Sequence, residues 1–302
     1  MGKIAFVFAG QGAQYPGMGK ALYETSAAAK AVFDAAEAIR PGTIRQCFEG
    51  TKEELTITAN TQPCMFVTDW ACAAAVQEAG VVPEAVAGFS LGEVAAVGFA
   101  GIMSFEDAFR AVIRRGEAMQ ACAEAHPGKM AAVVRLTAEQ VEALAAEFDH
   151  VYPVNYNSPG QTVCAASAED MPAFAQKVSE LKGRAIPLAV SGAFHSPFMA
   201  EASDALAGCL ADIAFHEPKL PVYANMTAEP YAGDMKALLA QQVKNPVRWE
   251  KTVRNLLDAG FDTFVEVGPG KTLTGLIGKI GGAKIAQPVD NPEALAALKA
   301  QL

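Results

Sequence analysis

The segment Ala85-Val86-Ala87-Gly88-Phe89-Ser90-Leu91-Gly92-Glu93-Val94 constrains this chain more than any other. A short run of small and β-branched residues reads as a buried strand, and the alanine-rich continuation reads as a helix. Between them Gly88-x-Ser90-x-Gly92 must turn sharply, and glycine on either side removes the Cβ atoms that would clash. A strand that turns directly into a helix belongs to an α/β architecture. The turn strains the backbone at Ser90. It also aims the N–H of Leu91, at the helix N-terminus, into the site, where it can stabilise an oxyanion.

The rest of the chain repeats this alternation. Residues 3–9, 85–89 and 262–267 are strand-like, and Phe105, Ala108, Phe109, Val112 and Ile113 recur at helical spacing within 105–122. Such alternation predicts a mostly parallel sheet covered on both faces. The rhythm changes after His126-Pro127-Gly128. Strands are expected at 130–136, 151–156, 161–166 and 184–190, with a helix opening at Thr137 and another over 168–181. That βαββαβ order is the split-βαβ arrangement. The expected organisation is a large α/β domain from 1–126 and 195–302, with a ferredoxin-like small domain inserted at 127–194.

A net charge of −9 argues against nucleic acid and against an anionic membrane surface. No apolar run approaches the ~20 residues of a membrane span. The start of the chain lacks signal-peptide character, so a cytoplasmic protein is expected. The six cysteines contain no CxxC pair and read as reduced and mostly buried. With no HExxH and no Cys/His cluster, no metal is expected. Gly10-Gln11-Gly12 follows a strand but has Tyr15 where a dinucleotide fingerprint needs its third glycine. Gly268-Pro269-Gly270-Lys271-Thr272 has Val265 where a P-loop needs its first.

A nucleophilic serine needs a base, and there are four histidines. His126 lies in a turn signal, while His150 and His216 read as structural. His195, in Ser191-Gly192-Ala193-Phe194-His195-Ser196-Pro197, sits where the chain leaves the small domain and is placed to face a cleft. Residues alone leave open any serine acyl-enzyme, including a thioester or ester hydrolase. They also leave open a binding module that merely carries the turn.

Several stretches together resemble malonyl-CoA:acyl carrier protein transacylases and the acyltransferase domains of polyketide synthases. They are Phe8-Ala9-Gly10-Gln11-Gly12, the Ser90 turn, Arg115-Gly116 with Met119-Gln120, and Asn155-Tyr156-Asn157-Ser158-Pro159-Gly160-Gln161. Ala193-Phe194-His195-Ser196, Asn245-Pro246-Val247-Arg248-Trp249 and Glu266-Val267-Gly268-Pro269-Gly270 complete the set. The resemblance runs nearly end to end. It implies an α/β-hydrolase-like core with a ferredoxin-like insertion, and malonyl transfer from malonyl-CoA to acyl carrier protein without a resident cofactor. It implies Ser90 as nucleophile, His195 as base, and the N–H groups of Gln11 and Leu91 as oxyanion donors. Arg115 would hold the malonyl carboxylate, Asn157 would line the site, and the carbonyl of Arg248 would orient His195. Carrier docking is expected near Lys271, Lys279 and Lys284. One departure stands out: the family usually has histidine before the serine, and this chain has Phe89.

Overall fold

The computed structural model describes residues 2–190 and 192–302. Met1 and Ser191, which opens the stretch carrying His195, lie outside the described residues. Among the described residues nine strands form two sheets: β1 (Lys3–Phe8), β2 (Ala85–Gly88), β3 (Gly128–Val134), β4 (Val151–Ser158), β5 (Gln161–Ser167), β6 (Arg184–Pro187), β7 (Val222–Tyr223), β8 (Phe261–Val267) and β9 (Ile285–Val289). The first sheet has the order β7-β2-β1-β8-β9, and every pairing in it is parallel. The second has the order β4-β5-β3-β6 and is antiparallel.

Burial explains the sequence pattern of the first sheet. Phe6 and Phe8 on β1 enter one apolar cluster, and Ala5 and Val7 enter another, so both faces of the strand are covered. A strand buried on both sides needs a continuous apolar run, which is what Ile4 to Ala9 supplies. Helix Thr58–Glu78 is buried on most of its circumference and packs against helix Phe105–Ala125. A third cluster, including Val133, Val141, Cys164 and Phe174, lies beneath the antiparallel sheet. Its helix Ala138–Ala145 begins with the Thr137–Gln140 capping box.

One expectation needs correction. The strand read as 184–190 ends at Pro187, which pairs with Ala131. Leu188 still donates its N–H to the Met130 carbonyl at 2.9 Å, and Leu188, Ala189 and Val190 line a cleft. The alanine-rich segment after Lys20 is two helices, Lys20–Thr25 and Ala27–Ile39, divided at Ser26, whose side chain caps the second. No helix is long and apolar enough to cross a membrane among the described residues. All six cysteines are free thiols, five of them buried.

Backbone hydrogen bonds tie the antiparallel sheet to the turn that precedes helix Trp249–Asp258. Val247 donates its N–H to the Val154 carbonyl at 2.8 Å and accepts from Tyr156 N–H at 2.9 Å. The chain enters and leaves the antiparallel sheet side by side, at a Pro127–Gly192 bridge. Asn155 on β4 borders the same small cavity as Phe89 and Ser90, which follow β2.

Candidate active site

Ser90 has φ 56° and ψ −108° between the end of β2 and helix Leu91–Phe99. That is a strained conformation for a residue with a Cβ, held only because its surroundings determine it. The glycine requirement is steric. A Cβ at Gly88 would lie 2.0 Å from the Gly92 carbonyl, and one at Gly92 would lie 2.3 Å from the Phe8 oxygen. Gly92→Ala is therefore expected to destabilise the fold by about 3 kcal/mol or more, because the atoms in the way are backbone. Urea unfolding would show this as a lowered midpoint, and an unchanged midpoint would refute the steric account.

Two amides clamp the turn. Asn225 accepts from Ser90 N–H at 2.7 Å and donates to the Gly88 carbonyl at 2.6 Å. Gln242 donates from Nε2 to the Ser90 carbonyl at 2.6 Å. The turn is thus fixed at three backbone groups by side chains from distant parts of the chain.

Of the four histidines, only His195 is buried. Its backbone is also left-handed, at φ 60°. Nε2 lies 2.6 Å from Ser90 Oγ, and Nδ1 lies 2.9 Å from the Gln242 carbonyl. A carbonyl only accepts, so Nδ1 carries the proton and Nε2 is left to accept from the serine hydroxyl. Burial, reinforced by the charge of Arg115, pushes His195 down to about 4, against smaller opposing effects of the Gln242 and Asn245 backbone. The imidazole is neutral at neutral pH, as a base must be.

The orienting carbonyl belongs to Gln242, not to Arg248. The Arg248 carbonyl accepts from Thr252 and serves helix Trp249–Asp258, whose first turn it begins. The Arg248 guanidinium lies over the Tyr156 ring and donates to the Met226 carbonyl.

Arg115 is 1% exposed, on the buried face of helix Phe105–Ala125. Nη1 donates to Gln62 Oε1 at 2.8 Å, and Nη2 donates to Gln242 Oε1 at 3.0 Å and to Ser90 Oγ at 3.2 Å. Its neighbour Arg114 points outward and pairs with Glu117. Burial lowers Arg115 to about 10, and Glu93 opposes that shift. It stays charged at neutral pH.

Gln11, Phe89, Ser90, Met119, Met130, Asn155, Phe194 and His195 are among the residues around a cavity of about 80 Å³. It adjoins a cleft of about 470 Å³ that shares Gln11, Phe89, Asn155, Leu188 and Val190. Gly10 lies against the Phe89 backbone, so the Gly10-Gln11-Gly12 loop sits beside the serine turn, with Gly12 at φ 111°. Leu91 is the first residue of the helix after Ser90. Asn157 lines the larger cleft, as does Asn155 two residues earlier; the Oδ1 of each is buried without a hydrogen-bond partner. Phe89 lines both spaces and packs edge-on against Trp249, with ring centroids 5.7 Å apart.

The glycine-rich stretch at 268–272 is filled from within. Glu266 accepts from the N–H groups of Leu273 and Thr274, at 2.9 and 2.7 Å, so a carboxylate already occupies that helix N-terminus. Among the described residues no group of three or more His, Cys, Asp or Glu could hold a metal ion.

Of the residues expected from the sequence, Gln11, Ser90 and His195 border the small cavity, and Gln11 and Asn157 border the adjoining cleft. Arg115 and Leu91 border neither; Arg115 reaches Ser90 Oγ from the buried side, and Leu91 follows Ser90 in the chain. Sequence reasoning did not find Gln62, Asn225, the Gln242 side chain or Glu93. The only local signal among these was the position of Glu93 in the first turn after Ser90.

Residues 5–293 match the acyl transferase domain family. Over 304 residues the chain is 39% identical to the malonyl CoA-acyl carrier protein transacylase of Bacillus subtilis, covering 98% of this chain and 96% of that one. The crystal structure of the same enzyme from Clostridium perfringens superposes with a TM-score of 0.95 at 34% identity, covering 99% and 96% of the two chains. A malonyl-transacylase solved in complex with a type II polyketide synthase acyl-carrier protein gives a TM-score of 0.95 at 33% identity, covering 99% and 100%.

Proposed function

The chain belongs to the acyl transferase domain family, and from that we propose that it transfers malonyl from coenzyme A to the phosphopantetheine thiol of an acyl carrier protein. One observation carries this reading beyond acyl transfer in general: a fully buried guanidinium lies 3.2 Å from the nucleophile that His195 activates. A site that places a cation hydrogen-bonded only to neutral groups beside the acyl-accepting oxygen suits an acyl group ending in a carboxylate.

In this reading His195 Nε2 takes the Ser90 proton as Oγ attacks the thioester carbonyl. The C–S bond breaks and the proton passes to the departing coenzyme A thiolate. The carrier's thiol then gives its proton to Nε2 and attacks the malonyl-Ser90 ester, and Ser90 leaves with that proton. The N–H groups of Gln11 and Leu91 stabilise the oxyanion in both steps, each worth about 3–4 kcal/mol. The covalent intermediate lets two bulky carriers use one site in turn. No step is routed through a resident cofactor. Free, mostly buried cysteines make a cytoplasmic location part of the proposal.

Malonyl-CoA presented with and without carrier tests the reading. Rapid coenzyme A release that needs carrier supports transfer. Sustained release without it would make the chain a hydrolase, and absence of acyl-Ser90 in the mass spectrum would make it a binding module.

The docking face is refined by the ion pairs. Lys284 is tied to Asp262 at 2.6 Å. Lys271 precedes helix Thr272–Ile280, which lines the cleft, and Lys279 lies in its last turn. Reversing the charge at Lys271 and Lys279 is expected to raise KM for an acidic carrier several-fold and leave KM for malonyl-CoA unchanged. Reversal at Lys284 should have the smaller effect. Equal changes in both KM values would remove the proposal.

A further inference from the structure

Arg115 gives its hydrogen bonds to neutral acceptors, Gln62, Gln242 and Ser90. A fully buried cation in that position requires a counter-charge nearby. The network leads to one. Gln242 Nε2 donates to Asn225 Oδ1 at 3.2 Å, and Asn225 N–H donates to Glu93 Oε2 at 3.1 Å. Glu93 is 0% exposed and accepts from the Tyr231 hydroxyl through Oε1. Arg115, Gln242, Asn225, Glu93 and Tyr231 form one buried chain of hydrogen bonds under the nucleophile.

We propose that Glu93 is the resting counter-charge of Arg115, and that seating a carboxylate-bearing acyl group on Arg115 draws a proton from solvent onto Glu93. The proposal rests on Arg115 being the seat of the acyl carboxylate. Without the proton, the occupied site would hold two anions around one cation in a low-dielectric interior. Protonation of Glu93 restores the balance. An acetyl group brings no charge and draws no proton. Glu93 thereby acts as a positioning residue for selectivity, through Arg115.

The groups facing Glu93 define the pH window. Burial raises its carboxyl most. Tyr231, the Asn225 N–H, the Gln242 amide and the Arg115 charge oppose this, leaving it at about 7. His195 lies at about 4 and Arg115 at about 10, while Tyr231 is pushed well above its ordinary value, so none of them titrates near neutrality. A bound anion raises Glu93 further, so uptake is positive. Malonyl affinity is then highest below pH 7, where Glu93 is already protonated. It falls as pH rises, about tenfold for each unit separating the free and occupied values.

Ser90→Ala protein cannot be acylated and permits titration calorimetry with malonyl-CoA at pH 7, in phosphate and in Tris, whose ionisation enthalpies differ. Acetyl-CoA and coenzyme A carry the same phosphates and serve as references. Uptake of a fraction of a proton beyond both references, absent in Ser90→Ala/Glu93→Gln, is the expected result. The same proton balance for malonyl-CoA and acetyl-CoA, or uptake that survives Glu93→Gln, overturns the proposal. Should Glu93→Gln not fold, Tyr231→Phe decides: removing that donor must move the uptake maximum to higher pH. The kinetic readout is the malonyl KM of the unaltered protein, which must rise with pH above 7 while the acetyl KM stays flat. If Arg115→Ala retains malonyl preference, the seat itself is wrong. If that preference is lost but proton balance is flat, only the role of Glu93 fails.

Discussion

Arg115→Ala is expected to cut malonyl transfer by about 10⁴-fold while acetyl transfer is kept or increased. The size follows from what the side chain does. Its guanidinium is held by Gln62 and Gln242, with Nη2 against Ser90 Oγ. A malonyl carboxylate brought beside Ser90 without it would be a desolvated anion facing two amides and a serine. Acetyl carries no such penalty and gains room. The measurement is kcat/KM for malonyl-CoA and acetyl-CoA with the same carrier. A parallel loss on both substrates would show that Arg115 only supports the fold, since its removal also strips partners from the two glutamines. A melting curve on the same protein separates that outcome.

The second large effect concerns Ser90 and His195 together. Ser90→Ala, His195→Ala and the double variant are each expected to lose about 10⁴–10⁶ in kcat, with the double variant no worse than either single one. A base without a nucleophile, or a nucleophile without a base, leaves the same residual catalysis from the oxyanion donors and binding. Additive losses would contradict the 2.6 Å Oγ–Nε2 pair as a working unit. The pH profile provides a further check. His195 is pushed down to about 4, so the acid limb set by the base lies near that value rather than near 6.5. Protein with the base intact should keep transferring as pH falls below 6. An acid limb at 6.5 would show that the imidazole is more hydrated than its burial implies.

Phe89 bears on both results. Its ring packs on Trp249 and lines the cleft as well as the small cavity that Ser90 and His195 also border, without a hydrogen bond to either. Loss of a histidine there leaves the catalytic pair intact, while a large apolar wall shapes what the acyl cavity admits.

The sequence by itself determined the parts that rest on local geometry. Gly88 is needed because a Cβ there would strike the Gly92 carbonyl within the same turn, which is readable from five residues. A Cβ at Gly92 would instead strike the Phe8 and Ala9 carbonyls at the end of β1, a contact only the fold creates. The βαββαβ order was legible because turn residues, a capping box and alternation act over short spans. The end of β6 was misplaced because Leu188 to Val190 are strand-like in composition but are used to line the cleft. Only the tertiary structure decided which carbonyl orients His195 and what holds Arg115 and Ser90. Gln242 reaches across 47 residues to His195, 127 to Arg115 and 152 to Ser90. Contacts of that span leave no periodicity and no spacing rule in the chain. An amide among many becomes the hub of the site only when folding removes water and obliges each buried donor to find its acceptor.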